Sequence, residues 1–297
     1  MRRSRHSAVF VGTARDCARW LPDVLNNFAR LESLYDRTAF VFAVSDATDS
    51  TAGLLREWMG KDRAGKVVEL GQLAARLKLR TERIAYARNA YLDEARRSPW
   101  GEYSRLVVAD MDDVLAVPLD VDAFARGSAW LDEAPDRAAI FASAAPRYYD
   151  IWALRHPTWS PHDCWHRIWE RPASQSFEAA KFREVFARQI ALPRQMRPIE
   201  VRSAFGGLGL YRMSYALNSR YVGLDAQGRE VSEHVAFNEA IGHAGGRLYV
   251  FPELQVRAPQ QHLYNAAEFD FRWRAAMWLR DTIEHYRPAW RTLPGHQ

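Results

Sequence analysis

Leu106-Val107-Val108-Ala109-Asp110-Met111-Asp112-Asp113-Val114 decides how this 297-residue chain is read. Four consecutive apolar residues, two of them β-branched, read as a strand buried on both faces. That is the pattern of a parallel sheet covered by helices. The run stops at an acid, and two more acids follow closely. Carboxylates this near one another repel and disfavour shared ionisation. A divalent cation removes that penalty, and hard oxygen donors suit magnesium or manganese. An isolated Asp-x-Asp pair also serves as a solvated turn or a helix cap. Its place directly behind a buried strand favours the metal reading, with Asp110 and Asp112 as ligands and Asp113 as an additional acid.

Upstream of this stretch, strands and helices alternate. Residues 8–11 are a short apolar strand ending in Gly12-Thr13. Residues 20–34 carry apolar side chains at helical spacing, and 39–44 form an unbroken apolar run. The polar turn 45–51 leads into a helix beginning near Ala52. Residues 66–70 read as a strand and 81–96 as a long helix. This order predicts an α/β fold, a Rossmann-like, mostly parallel sheet with helices on both faces. Ligands of such sheets sit beyond the carboxyl ends of the strands, so the loops after Val11, Val44 and Ala109 are the place to look.

Downstream the pattern is less regular. Residues 138–143, 147–151 and 247–251 read as strands. Residues 177–190, 233–241 and 268–285 read as helices, the last amphipathic. Residues 149–169 are aromatic and irregular, and 203–212 are rich in glycine. With no repeat, low-complexity tract or linker, the expectation is one continuous domain over 1–297, divided into halves 1–115 and 116–297.

The composition, 48% hydrophobic and 12% aromatic, supplies a large core and excludes a disordered chain. A net charge of +5 and a pI near 9.3 favour anionic partners. Arginine dominates the excess, and it suits bidentate phosphate contacts. Two cysteines, Cys17 and Cys164, make no disulfide framework and read as reduced thiols of a cytosolic protein. The basic start is followed by too short an apolar run for a signal peptide. No stretch reaches the ~18 apolar residues of a membrane span. The expected location is the cytoplasm, peripheral at most to the inner membrane face. The C-terminal Trp273, Trp278, Tyr286, Trp290 and Arg291 suit either an anionic membrane surface or docking onto the domain, and docking is preferred.

Tyr148, Tyr149, Trp152, Trp159, Trp165 and Trp169 fall close together. Indole and phenol rings stack on the apolar C–H faces of sugars and keep a polar handle for hydroxyls. Asp150, Arg155 and Asp163 supply hydrogen-bonding partners beside them. Packing within the core is the competing explanation for any one ring.

At this point the sequence resembles the GT-A fold glycosyltransferases, the bacterial family-2-like enzymes and the fungal capsule mannosyltransferases. The resemblance rests on strings in order: VFVGTARDCARWL (9–21), VFAVSDATDST (41–51), RIAYARNAYLDEA (83–95), VVADMDDV (107–114), and SAFGGLGLYR (203–212) with SEHVAFNEAIGHAGGRLYVFPEL (232–254). It implies transfer of a sugar from a UDP- or GDP-sugar to a carbohydrate or lipid-linked saccharide acceptor, with manganese or magnesium and with no nucleic acid partner. It makes 1–115 the nucleotide-sugar half and 116–297 the acceptor half. It implies donor contacts at Thr13, Arg15, Ser45, Asp46, Arg83, Arg88, Asn89 and Asp110, with Arg83, Arg88 and Asn89 either reaching the diphosphate or organising the loop. It implies metal ligation by Asp110, Asp112 and His262, and an acceptor side at Tyr149, Asp150, Trp152, Arg155, Gly206 and Gly207. Bacterial surface polysaccharide synthesis is the implied setting.

Glu233-His234 departs from the relatives, which carry a Glu-Asp pair there. Either residue could be the catalytic base, since imidazole titrates near neutrality. The fungal enzymes retain configuration and need no such base, so both outcomes stand open. The competing explanation is a helix cap. A metal-dependent nucleotidyltransferase is a second reading, but GTARDCARW (12–20) lacks the glycines and lysine of its phosphate loop. A carbohydrate-binding protein without activity gives no reason for the acids behind the strand.

Overall fold

The structure, a computed structural model, describes residues 6–97 and 99–264, with Ala275 and Leu279 beyond them. Apart from those two residues, the helix expected over 268–285 lies outside the described residues, as do Trp273, Trp278, Tyr286, Trp290 and Arg291. The alternation of the first half is present: β1 (Ser7–Ala14), α1 (Leu21–Glu32), β2 (Arg37–Val44), α2 (Thr51–Met59), β3 (Gly65–Glu69), α3 (Leu73–Arg76), α4 (Arg80–Arg97) and β4 (Arg105–Asp110). The second half supplies α5 (Val121–Asp132), β5 (Arg137–Ala145), α6 (Cys164–Trp169), α7 (Phe177–Glu184), β6 (Ile199–Val201), β7 (Leu208–Arg212), α8 (Met213–Ala216), α9 (Glu233–His243) and β8 (Arg247–Arg257).

All eight strands join one sheet in the order β3-β2-β1-β4-β7-β5-β8-β6. The strands β3, β2, β1 and β4 are mutually parallel. Strand β7 runs against both β4 and β5, β8 is parallel to β5, and β6 is antiparallel to β8 at the edge. Side chains alternate across the sheet with period two. Phe10, Phe40, Phe42 and Val107 face α1, α2 and α5. Val9, Val11, Val41, Leu106 and Val108 face α4, α8 and α9. Both faces are closed, which is why the strands read as unbroken apolar runs rather than alternating ones.

Helix α1 shows how the sequence sets this packing. Leu21, Val24, Leu25, Phe28 and Leu31 recur at helical spacing and are all buried. Phe28 lies 5.6 Å from the Phe10 ring and 6.0 Å from Phe42, sealing the helix onto two strands. Truncating it would cost about 3–5 kcal/mol.

Three differences from the sequence pattern have local causes. Residues 147–151 form a loop and not a strand, because the Asp150 side chain accepts from the backbone N–H groups of Ala153 and Gly206. A side chain that bonds backbone so near itself competes with a strand ladder. Helix α5 is absent from the pattern because Gly127 interrupts it. A Cβ there would meet Ile140 Cδ1 at 2.4 Å, so the glycine lets the helix lie close on the sheet. Strand β6 is a three-residue edge strand, too short for periodicity to register.

Candidate active site

Strands β1, β2 and β4 end on one rim of the sheet, and β7 begins there because it runs the other way. Asp110 donates its backbone N–H to Gly207 O at 2.8 Å, which ties the acid to the start of β7. Met111 is buried over Gly12, where a Cβ would meet its sulfur at 2.6 Å. The methionine thereby anchors the turn that carries Asp110 and Asp112. Asp112 opens to solvent, and its Oδ1 accepts from Val114 N at 3.2 Å, capping a short turn at Asp113–Leu115. The cap therefore occupies one oxygen of a residue that has two.

Gly206 and Gly207 close this rim with φ of +67° and +89°. Side chains rarely adopt such values. A Cβ at Gly206 would lie 2.5 Å from Ala142 O, and one at Gly207 would lie 2.3 Å from Val114 Cγ1. Gly206 N–H donates to Asp150 Oδ2 at 3.1 Å. The glycine pair thus holds Asp150 and Asp110 on one rim.

Arg88, on α4, connects the two halves of the chain. It is buried, and its Nε donates to Glu233 Oε1 at 2.9 Å while Nη2 donates to Asp110 Oδ1 at 3.2 Å. Phe205 and Tyr221 flank the guanidinium, with ring centroids at 5.1 and 5.6 Å. Glu233 begins α9 and is nearly enclosed. Its Oε2 carries no hydrogen bond among the described residues. His234 Nε2 lies 3.7 Å from Glu233 Oε1, beyond hydrogen-bonding distance. It stacks on Phe205 at 3.8 Å and meets Tyr221 edge-on, with neither ring nitrogen bonded. Burial, and after it the Arg88 charge, holds its pKa well below the usual imidazole range. As the expected alternative base, His234 is thus walled off from the rim, and its ring serves as packing behind Glu233.

The acids on the rim disfavour their own charge. Burial, then the Asp112 charge, pushes Asp110 up to about 8 against the opposing pull of Arg88. Partial burial, and more weakly Asp113, also raises Asp112, while His262 pulls it down. Burial raises Asp150. Such crowding of carboxylates suits a cation. His262 lies in a turn at Gln260–His262, its ring parallel to Tyr149 at 5.8 Å. Among the described residues, no three His, Cys, Asp or Glu side chains gather closely enough to hold a metal unaided. Magnesium-type sites commonly use one or two carboxylates and leave the remaining positions to water and substrate phosphate. The carboxylates of Asp110 and Asp112 are donors of that kind on this rim.

A cleft of about 380 Å³ opens at the carboxyl ends of β2 and β3, lined by Arg15, Ser45, Asp46, Gly71, Gln72 and Ala75 among others, and the acids behind β4 do not line it. Its floor is sewn together by Asp16, whose Oδ1 accepts from Thr48 N at 2.7 Å and from the Thr48 hydroxyl at 3.0 Å. Ala18 N–H reaches Asp49 in the same way. Nothing in sequence spacing singled out Asp16. Its only signal is φ of +46°, visible once the backbone is known. Asp46, also at positive φ, accepts from Ala74 N at 2.9 Å and so holds the first turn of α3 with one oxygen. Thr13 lies at the end of β1, paired between Ala43 and Asp110. Arg83 organises the loop before α4 by donating to Leu77 O and Lys78 O. Asn89 exchanges two hydrogen bonds with the backbone of Tyr221 and so fastens α4 to the segment before α9.

The aromatic segment is sorted by Asp163. Its Oδ1 caps α6 at Trp165 N and His166 N, while Oδ2 accepts from Arg155 Nη2 at 2.8 Å and Trp152 Nε1 at 3.1 Å. Arg155 is buried and also donates to Trp152 O and Leu154 O. Its guanidinium is thus bonded inward, away from any acceptor. Trp159 is core and bonds Arg188 O, whereas Trp169 is 63% exposed.

No protein-family model and no curated protein sequence matches the chain. Solved structures do match. Mannosyltransferase PcManGT from Pyrobaculum calidifontis, in complex with GDP-Man and Mn2+, aligns over 97% of this chain and 83% of its own, with TM-score 0.51 and 15% identity. TarS of S. aureus aligns over 93% of this chain with TM-score 0.50 and 12% identity, and this chain spans 39% of TarS. The fold of the chain is the GT-A fold of nucleotide-sugar glycosyltransferases.

Proposed function

We propose that this protein is a metal-dependent glycosyltransferase that moves a sugar from a nucleotide diphosphate donor to a carbohydrate acceptor. One observation carries the reading. Asp110 and Asp112 crowd together at the end of an inner strand, on the rim where β1 and β2 also end and where a glycine pair holds Asp150. PcManGT, solved with GDP-Man and Mn2+, supports both the donor class and the metal. Asp110 and Asp112, with His262, are the residues that would hold the ion, which neutralises the charge developing on a diphosphate leaving group. Ser45, Asp46 and Arg15 line the space for the nucleoside. Arg88 fixes Glu233 and Asp110 relative to each other. Glu233, with Oε2 free, is the group that supports proton removal from an acceptor hydroxyl. Tyr149, Asp150 and Trp152 form the acceptor side.

Unpaired, buried cysteines support a reducing compartment. We therefore place the reaction on the cytoplasmic side, in the synthesis of a bacterial surface polysaccharide.

The test is a thermal-shift screen of UDP, GDP, CDP and TDP, each with and without manganese. A ligand present at about 100 times its Kd adds ~2.7 kcal/mol to the folded state. One diphosphate should raise the midpoint, and only with manganese. Asp112→Ala should abolish that rise while the ligand-free midpoint stays put. Equal shifts without metal, or an unchanged shift in the variant, would overturn the reading.

A further inference from the structure

Trp169 is the most exposed large hydrophobic side chain among the described residues, at 63%. It stands on the same face of α6 as Trp165, four residues earlier. The two indoles stack at 6.1 Å with 25° between their planes. Trp165 meets Trp152 edge-on at 6.4 Å, and Trp152 follows Asp150 by two residues. A path of rings therefore leads from the rim, at Asp150, outward to a largely exposed indole. The inner rings have structural duties: Trp152 donates to Asp163, and Trp159 to Arg188 O. Trp169 packs on Phe177 of α7, with ring centroids 5.4 Å apart, yet it remains 63% exposed, where burial would stabilise the fold by more than 1 kcal/mol.

We propose that Trp165 and Trp169 form a subsite for a neutral hexopyranose unit of the acceptor, outside the transfer centre. The inference rests on the glycosyltransferase reading for the word acceptor, but not for the binding itself. Three features select a sugar. A flat indole face matches the C–H face of a pyranose. The surrounding charges are of both signs: Glu170 pairs with Arg229 at 2.7 Å, beside the exposed Arg167. That mixture gives no single-sign field to draw an anionic membrane or nucleic acid. The same charged groups offer donors and acceptors to ring hydroxyls at the edge of the platform. The consequence is an acceptor of more than one residue, gripped at a distance from the bond being made.

Affinity electrophoresis of the full chain tests this, with native gels containing mannan, dextran or galactan. Wild type should be retarded by at least one of the three. Trp169→Ala should weaken that retardation about tenfold, the equivalent of ~1.4 kcal/mol of stacking. Trp169→Phe, which keeps a flat ring, should retain most of it. Trp169→Ala gives up the ring contacts with Trp165 and Phe177 and should melt slightly below wild type, Trp169→Phe should melt close to it, and both should keep the manganese-dependent diphosphate shift. Wild type unretarded in all three gels, or Trp169→Ala retarded as strongly as wild type, overturns the subsite. Retardation that depends on Trp169 in a protein with no diphosphate shift would uphold the subsite and overturn the transferase reading alone.

Discussion

Arg88→Met is the perturbation whose outcome the structure fixes most tightly. The guanidinium is 4% exposed and is the shared partner of Asp110 and Glu233, at 3.2 and 2.9 Å. Methionine fills much of its volume but leaves two enclosed carboxylates facing each other. Removing one partner of a buried ion pair costs about 3–5 kcal/mol, most of it from the charge left behind. In a chain of this size ~1 kcal/mol moves the melting temperature by roughly 2–4 °C, so a loss of at least 6 °C is expected at neutral pH. Adding Glu233→Gln to Arg88→Met should return about 1–3 kcal/mol, because one stranded charge is gone. Guanidinium unfolding of wild type, the two single variants and the double variant at pH 7.5 measures all of this. A loss under 1 kcal/mol would mean that Arg88 does not hold these acids together.

The other expectations are briefer. Glu233→Gln should lower turnover about 10²–10⁴-fold while the diphosphate shift with manganese is kept; an equal loss of both would assign Glu233 a binding or structural role. In metal-free protein, Asp110 has its pKa raised from 3.8 to about 8, so its contribution to stability is fully present below about pH 4 and is lost as pH rises through 8. The melting temperature should therefore fall between roughly pH 4 and 8, and saturating manganese should flatten the slope; a rising curve would contradict the shift. Asp163→Ala should cost about 3 kcal/mol by unpairing buried Arg155 and uncapping α6, yet leave the diphosphate shift intact.

The first half of the fold was legible because its physics is local. Unbroken apolar runs at β1, β2 and β4, and the spacing of Leu21, Val24, Leu25, Phe28 and Leu31, state burial and period directly. Asp110 and Asp112 were legible because their repulsion follows from adjacency in sequence. Asp16 and Asp163 were not, since their partners lie across turns whose closure no spacing reports. Arg155 read as a hydroxyl binder because a cation among aromatics looks the same in sequence whether its fork points outward or, as here, to Asp163. The surroundings of His234 are hidden for a related reason: nearness to Glu233 in sequence says nothing about the Phe205 ring that covers it. The loop at 147–151 shows the same limit in backbone form, where one aspartate redirects a segment whose side chains suit a strand.

Strand β7 has a consequence for how such a protein can change. Running counter to its neighbours, it starts where they finish, and so Gly206 and Gly207 arrive beside Asp110 from nearly a hundred residues away. Segments of either half can be lengthened or exchanged at that edge while every strand keeps its partners. Separating the halves is another matter. A fragment ending at residue 115 would present β4 as a bare edge, its apolar rows open to any passing chain, so variation at the rim is tolerated only while the chain stays whole.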